Sequence, residues 1–136
     1  KIFEEIHATQ ALRIERMDLI DVFGGMDGPS MKANNTSAFN CRKVTGGTKL
    51  SSHSFGTAID VNPVQNPYVK SKVTEPNPEG LPFDTIPERA AALKDKANGV
   101  IGRKEAAVKI FRKHGWFWGG DFSTLKDFQH FSKDGK

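Results

Sequence analysis

Cysteine is almost missing from this 136-residue chain. The single Cys41 excludes any internal disulfide, and its neighbours Phe39 and Val44 suggest a small buried thiol. No apolar run approaches the roughly 18–20 residues of a membrane-spanning helix. Basic blocks are lacking too. The 20 Lys and Arg are dispersed among 16 Asp and Glu, with no aromatic-interleaved RNA motif, so a nucleic-acid partner is not expected. The formal charge of +4 leaves only a mild positive field, which favours approach to a polyanion. There is no internal repeat, no low-complexity segment and no leader peptide. The chain opens directly on a helical pattern at Ile2, Phe3 and Ile6, as expected if a leader or an N-terminal portion has been removed.

What is present is an ordinary globular composition, 37% hydrophobic and 26% charged, with ten Phe and two Trp. It predicts one domain over 1–136, large enough for a single core. Residues 2–10 read as a short helix. "LRIERMDLIDVF" at 12–23 suits one or two strands, and "GGMDGPS" at 24–30 a turn. "SAFNCRKV" at 37–44 alternates as a half-buried strand, Phe39 and Cys41 inward and Asn40 and Arg42 outward. "TAIDVNP" reads as a strand stopped by Pro63. Residues 62–88 hold six of the seven prolines, which argues for an ordered surface excursion without strand pairing. Helices are predicted over 87–99 and 103–115, the second with Ala107, Ile110, Phe111 and His114 on one stripe and Gly115 as its stop. Two strands, "WFWGGDF" and "FQHFS", close the chain. The class is α+β with a small antiparallel sheet.

Within this frame one stretch carries chemistry. "SSHSFGTAID" at 51–60 sets His53 seven positions before Asp60. On a strand Ala58 and Asp60 share a face, and the short methyl of Ala58 leaves space above it. Gly56 lets the chain bend so that His53 returns over that space. An imidazole and a carboxylate converging there suit a borderline cation such as zinc, and a catalytic zinc needs a third ligand. "KDFQHF" at 126–131 supplies His130, with Asp127 three positions earlier. The two reach one site only if the chain turns near Asp127, which places that carboxylate beside the attacking water as a general base. Arg42, on the polar face one strand-like segment earlier, is suited to an oxyanion or to a substrate carboxylate. Singly these residues have plainer readings: His53 as a satisfied core histidine, Asp60 as a turn cap with Asn62 and Pro63, Arg42 as a surface arginine. His7 and His114 are read as structural, and Trp116 and Trp118 as core or cleft wall.

The combination is more specific. Ser51, His53, Gly56, Ala58 and Asp60 match S-x-H-x-x-G-x-A-x-D, and Asp127 with His130 matches [D/E]-x-x-H. With "NNTSAFNCR", "IDVNPVQNPYV" and "HGWFWGGDF", the chain from about Met17 to Phe131 resembles the zinc D-Ala-D-Ala carboxypeptidases of peptidoglycan (peptidase family M15). That family includes vancomycin-resistance dipeptidases and carboxypeptidases and the L-alanyl-D-glutamate endopeptidases of phage endolysins. The resemblance implies one Zn2+ held by His53, Asp60 and His130, Asp127 as general base, Arg42 polarising the scissile carbonyl and Ser51 contributing to substrate binding. It implies an α+β fold, related to that of hedgehog-like signalling domains, whose small antiparallel sheet bears the metal. It also implies a monomer acting on peptidoglycan stem peptides in the cell envelope, periplasmic or secreted. Members usually carry more chain before the first helix, so an N-terminal portion is expected to be missing here. Asp rather than Glu at 127 leans toward the endopeptidases and leaves the cleaved bond open. The competing classes are a non-catalytic zinc module of the same fold and a cell-wall-binding domain; Asp127 and Arg42 favour catalysis.

Overall fold

The structure is a computed structural model that describes residues 1–44, 47–95 and 98–135. Among the described residues there are four α-helices, α1 (Ile2–Thr9), α2 (Asp27–Lys32), α3 (Ile86–Ala92) and α4 (Ala106–Lys113). Six short strands accompany them: β1 (Ala58–Asp60), β2 (Tyr68–Lys70), β3 (Val73–Glu75), β4 (Phe117–Trp118), β5 (Lys126–Asp127) and β6 (His130–Ser132). They form two three-stranded antiparallel sheets, ordered β1-β6-β4 and β3-β2-β5. The expected α+β class is what the chain adopts. No described helix is long and apolar enough to cross a membrane.

Helix α4 forms because Ala107, Val108, Ile110 and Phe111 fall on one face and all are buried. Arg112 and Lys113 occupy its last turn, where cations complement the helix dipole. Phe111 lies flat on Phe131 of β6, centroids 3.8 Å apart, and meets Phe3 of α1 edge-on at 6.0 Å. Ile6, Ile59, Val61, Ile101, Trp118 and Phe128 complete this core. Burying each large apolar side chain contributes about 1.5–3 kcal/mol. The core therefore lies under the first sheet and fixes β6, the strand that bears His130.

Polar side chains do the rest of the internal bracing. Asn62 accepts from Glu15 N–H at 3.0 Å and donates to Arg13 O at 2.7 Å, while Asn35 accepts from Asp18 N–H at 2.7 Å. This corrects the strands predicted over 12–23. The backbone there is satisfied by asparagine side chains instead of a ladder, apart from a bridge between Arg16 and Asn35 and a 3-10 turn at Ile20–Phe23. The predicted orientation of 37–44 is also reversed. Phe39 and Cys41 are exposed and Asn40 is buried, because Asn40 is needed inside, where its Nδ2 donates to Asp27 Oδ1 at 2.6 Å. The buried thiol expected at Cys41 is thus not observed. The segment pairs only through single bridges, Ser37 with Asp60 and Lys43 with Leu50.

The proline-rich excursion does pair, as the β2–β3 hairpin with β5 on its other edge; its prolines lie outside the paired residues. The turn predicted at 24–30 also contains the start of α2. Helix α3 is shorter than predicted, ending at Ala92, and residues 96–97 of the predicted span lie outside the described residues. Its start carries a capping box between Thr85 and Glu88.

Arg89 of α3 is buried, with no carboxylate in hydrogen-bond contact among the described residues. Its guanidinium donates to Gln65 O, Phe83 O, Asn66 Oδ1 and Ile101 O at 2.7–3.1 Å and lies 3.7 Å from the centre of the Phe128 ring. Burial pulls its pKa down to about 10, which still leaves it charged at neutral pH. Removing it takes the guanidinium donor from three main-chain carbonyls, those of residues 65, 83 and 101, and leaves Asn66 Oδ1 with Ile101 N–H alone. Arg89→Ala should lower unfolding free energy by on the order of 3 kcal/mol, with Arg89→Lys recovering less than half, as read from urea denaturation midpoints.

Candidate metal centre

Strand pairing places the first two expected ligands together. In the antiparallel register Asp60 of β1 stands directly opposite His130 of β6. His130 Nδ1 lies 2.9 Å from Asp60 Oδ1. Asp60 is fixed on its other edge by reciprocal main-chain bonds to Ser37, at 2.9 and 3.0 Å.

The third ligand comes from a 3-10 turn, Ser52–Phe55, immediately before β1. Ser51 caps it, its buried hydroxyl accepting from His53 N–H at 3.4 Å. Gly56 ends it in a left-handed conformation, φ +64°, which a glycine adopts without a Cβ penalty. The bend expected at this glycine is therefore the observed one. It folds His53 back so that its Nε2 lies 3.3 Å from Asp60 Oδ2, too poorly aligned for a full hydrogen bond. Nδ1 of the same ring faces Ala38 O at 2.8 Å. A carbonyl only accepts, so Nδ1 carries the proton when the ring is neutral and Nε2 offers its lone pair. This is the usual outer hydrogen bond of a metal-binding histidine.

His53, Asp60 and His130 are all buried, with ligand-capable atoms within 4.8 Å of one another. Among the described residues this is the one cluster of at least three such side chains. Zinc bonds of about 2.0–2.2 Å in a tetrahedral arrangement space the ligands roughly 3.3 Å apart. The observed 2.9 and 3.3 Å agree with that spacing. Two nitrogens and one oxygen, with a buried imidazole nitrogen lacking a hydrogen bond, fit a zinc with an open fourth position.

The electrostatics fit as well. Burial alone would raise the Asp60 pKa, but the charge of His53, the hydrogen bond from His130 and the close approach of His53 outweigh it and hold the group well below the carboxylate range. Burial likewise pulls His53 down, yet the charge of Asp60 and the contact with it leave its pKa above the ordinary value. Asp127 behaves oppositely: burial first, then the charge of Asp60, push its pKa up to about 7, against smaller lowering effects of His130 and Gln129.

Asp127 belongs to β5 in the second sheet and His130 to β6 in the first. The chain thus changes sheets between them, the turn expected from their three-residue spacing. Asp127 Oδ1 is buried and unpartnered among the described residues. Sequence reasoning missed two neighbours of this corner. At Gly119, inside the stretch read as a closing strand, a Cβ would stand 2.5 Å from Asp127 O and 3.1 Å from His130 Cβ. Gln129, buried and in polar contact with Asp127, carried no signal beyond its place between the two.

Arg42 is attached to the site through backbone. Arg42 O accepts from Ser51 N–H at 3.0 Å and from Ser54 Oγ at 2.7 Å, and Asn40 N–H donates to His53 O at 3.1 Å. Its guanidinium is ion-paired with Asp27 at the start of α2 and donates to Lys43 O at 3.2 Å. His114, read as structural, pairs with Glu5 and ties α4 to α1. Trp118 is buried and donates to Phe128 O at 2.8 Å, with Trp116 half-buried beside it.

Two imidazoles and a carboxylate converging on one strand pair of an α+β fold define a candidate mononuclear metal centre. Residues 45–133, well over half of the chain, match the model of the D-alanyl-D-alanine carboxypeptidase family. The chain belongs to this family of M15 peptidoglycan metallopeptidases. His53, Asp60, Asp127, His130 and Ser51 fall inside the match, and Arg42 falls just before it. No curated protein and no solved structure matches the chain significantly.

The shifts give a signed pH dependence. His53 and Asp127 bind protons more tightly in the metal-free fold than when unfolded. Their contributions are present at low pH and lost as pH rises through roughly 4–7 for Asp127 and above 6.5 for His53. Asp60 acts the other way, but only in acid. A zinc ion held by His53 would need that ring neutral, so its affinity would grow over the same range. Thermal melts should therefore show the chelated protein more stable at pH 5.5 than at pH 8, with the zinc-induced increase in Tm larger at pH 8.

Proposed function

We propose that the protein is a zinc-dependent peptidase that hydrolyses a peptide bond in peptidoglycan stem peptides, at the cell envelope, periplasmic or secreted. Family membership supports the substrate class, and one observation carries the catalytic reading: Asp127, an unpartnered buried carboxylate oxygen beside the His53–Asp60–His130 cluster. A purely structural metal site has no use for such a group next to an open position.

When bound, zinc supplies a Lewis acid and brings the pKa of a water down to about 7. Asp127 takes the proton of the attacking water on Oδ1. A carboxylate already drawn toward neutral pH then returns it to the leaving amine, the two-way use that general acid–base catalysis requires. His53 and His130 remain fixed by Ala38 O and by the β1–β6 register, so the reacting geometry costs little reorganisation. Arg42 is assigned to the scissile carbonyl, with Asp27 orienting its guanidinium and its backbone tied to the His53 turn. A substrate contact by Ser51 belongs to the same proposal, alongside the cap its hydroxyl forms.

Mass spectrometry of products from a pentapeptide ending in D-Ala-D-Ala and a peptide beginning L-Ala-D-Glu, with zinc and with chelator, tests this. Chelator-sensitive loss of D-Ala identifies a carboxypeptidase, and release of L-Ala an endopeptidase. Asp127→Asn should keep one zinc and lose at least about a hundredfold in kcat. A zinc-loaded protein that cleaves neither peptide sinks the proposal in favour of a non-catalytic module.

A further inference from the structure

The second sheet brings one more group to the base. Tyr68 of β2 is the register partner of Asp127 of β5. The next pair toward the turn is hydrogen-bonded, Phe128 N–H donating to Pro67 O at 3.2 Å. Hydrogen-bonded and non-hydrogen-bonded pairs alternate in an antiparallel ladder, so Tyr68 and Asp127 form the non-hydrogen-bonded kind. In such a pair the Cα atoms are about 4.5 Å apart and the facing side chains are closest. Both side chains stand on the same face of the sheet. The Tyr68 phenol therefore shares a face with the Asp127 carboxylate and lies close enough for its charge to bear on the ring hydroxyl. Tyr68 is half-buried, and no described residue hydrogen-bonds its hydroxyl. Burial first, then the charge of Asp127, raises its pKa, so the phenol stays a neutral donor throughout the neutral range.

Resting on the peptidase reading above, we infer that Tyr68 is a substrate-contacting residue of the active site. Its hydroxyl donates to a main-chain carbonyl of the peptide on the leaving-group side of the scissile bond. The side follows from geometry. Arg42 is anchored to the His53 turn on the first sheet, whereas Asp127, which must reach the leaving nitrogen, stands on the second sheet with Tyr68 next to it. A phenol there can align the leaving residue without competing for the proton that Asp127 carries.

Tyr68 is the chain's single tyrosine, which gives the test a clean signal. The probe is the stem pentapeptide L-Ala-D-Glu-L-Lys-D-Ala-D-Ala, used with zinc-loaded protein. In kinetics, Tyr68→Phe should lower kcat/KM at least about tenfold, with bound zinc and Tm unchanged. In parallel, ring-13C tyrosine in zinc-loaded Asp127→Asn protein gives one signal. That signal should shift on saturation with the peptide, binding being followed independently by tryptophan emission. A Tyr68→Phe enzyme within twofold of wild type, or a tyrosine signal that stays put while the peptide binds, overturns the inference. If the wild type cleaves no stem peptide but binds the pentapeptide and moves the signal, the peptidase reading fails and the Tyr68 contact stands. If the pentapeptide neither binds nor is cleaved, both fall.

Discussion

The antiparallel register that sets Asp60 opposite His130 is the constraint on which the rest depends. A slip of one residue would turn every side chain of β6 to the other face, trading His130 for Phe131 at the metal. Two interactions hold the register. Phe131 is locked from below by its stack on Phe111 of α4, and β1 is paired on its far edge to Ser37. The apolar core and the metal face are the two sides of one three-residue strand. Packing energy on one side is what positions chemistry on the other.

That arrangement has a cost, which the polar interior of the molecule offsets. Three ionisable groups lie buried within 4.8 Å of one another and a fourth, Asp127, sits beside them with its pKa pushed up to about 7. Burying charge is unfavourable unless partners or a metal compensate. The surrounding loops are accordingly tied down by buried amides and by Arg89 instead of by long strands. Asn62, Asn66 and Arg89 gather the carbonyls of residues 13, 65, 83, 99 and 101. Arg89 also lies against Phe128, one of the two residues between Asp127 and His130. The loops around the site are therefore held largely by polar side chains, which meet it at Val61 beside Asp60 and at the Phe128 ring.

The convergence of His53, Asp60 and His130 was legible in the sequence because their spacing follows local rules. A glycine bend before a strand returns His53 over Ala58, and a three-residue gap forces a corner between Asp127 and His130. Helices α1 and α4 were legible from their apolar stripes. What was not legible depended on distant partners. Residues 12–23 have strand-like composition, yet Asn35 and Asn62 from elsewhere in the chain supply their hydrogen bonds. Phe39 and Cys41 look like an inward face, yet Asn40 is the residue with an internal partner. Proline counts argued against pairing in 62–88, although the prolines leave residues 68–75 free to form a hairpin. Gly119 and Tyr68 matter through contacts with residues distant in sequence or on a neighbouring strand, which no local pattern announces.

The central claim is that His53, Asp60 and His130 form a single zinc site, and X-ray absorption on the zinc-reconstituted protein tests it most directly. The account predicts one zinc per chain with a shell of two imidazole nitrogens and light oxygen donors at about 2.0–2.1 Å, and loss of that zinc in His130→Ala. No tight zinc, a shell containing sulfur from Cys41, or full retention of zinc in His130→Ala would contradict it.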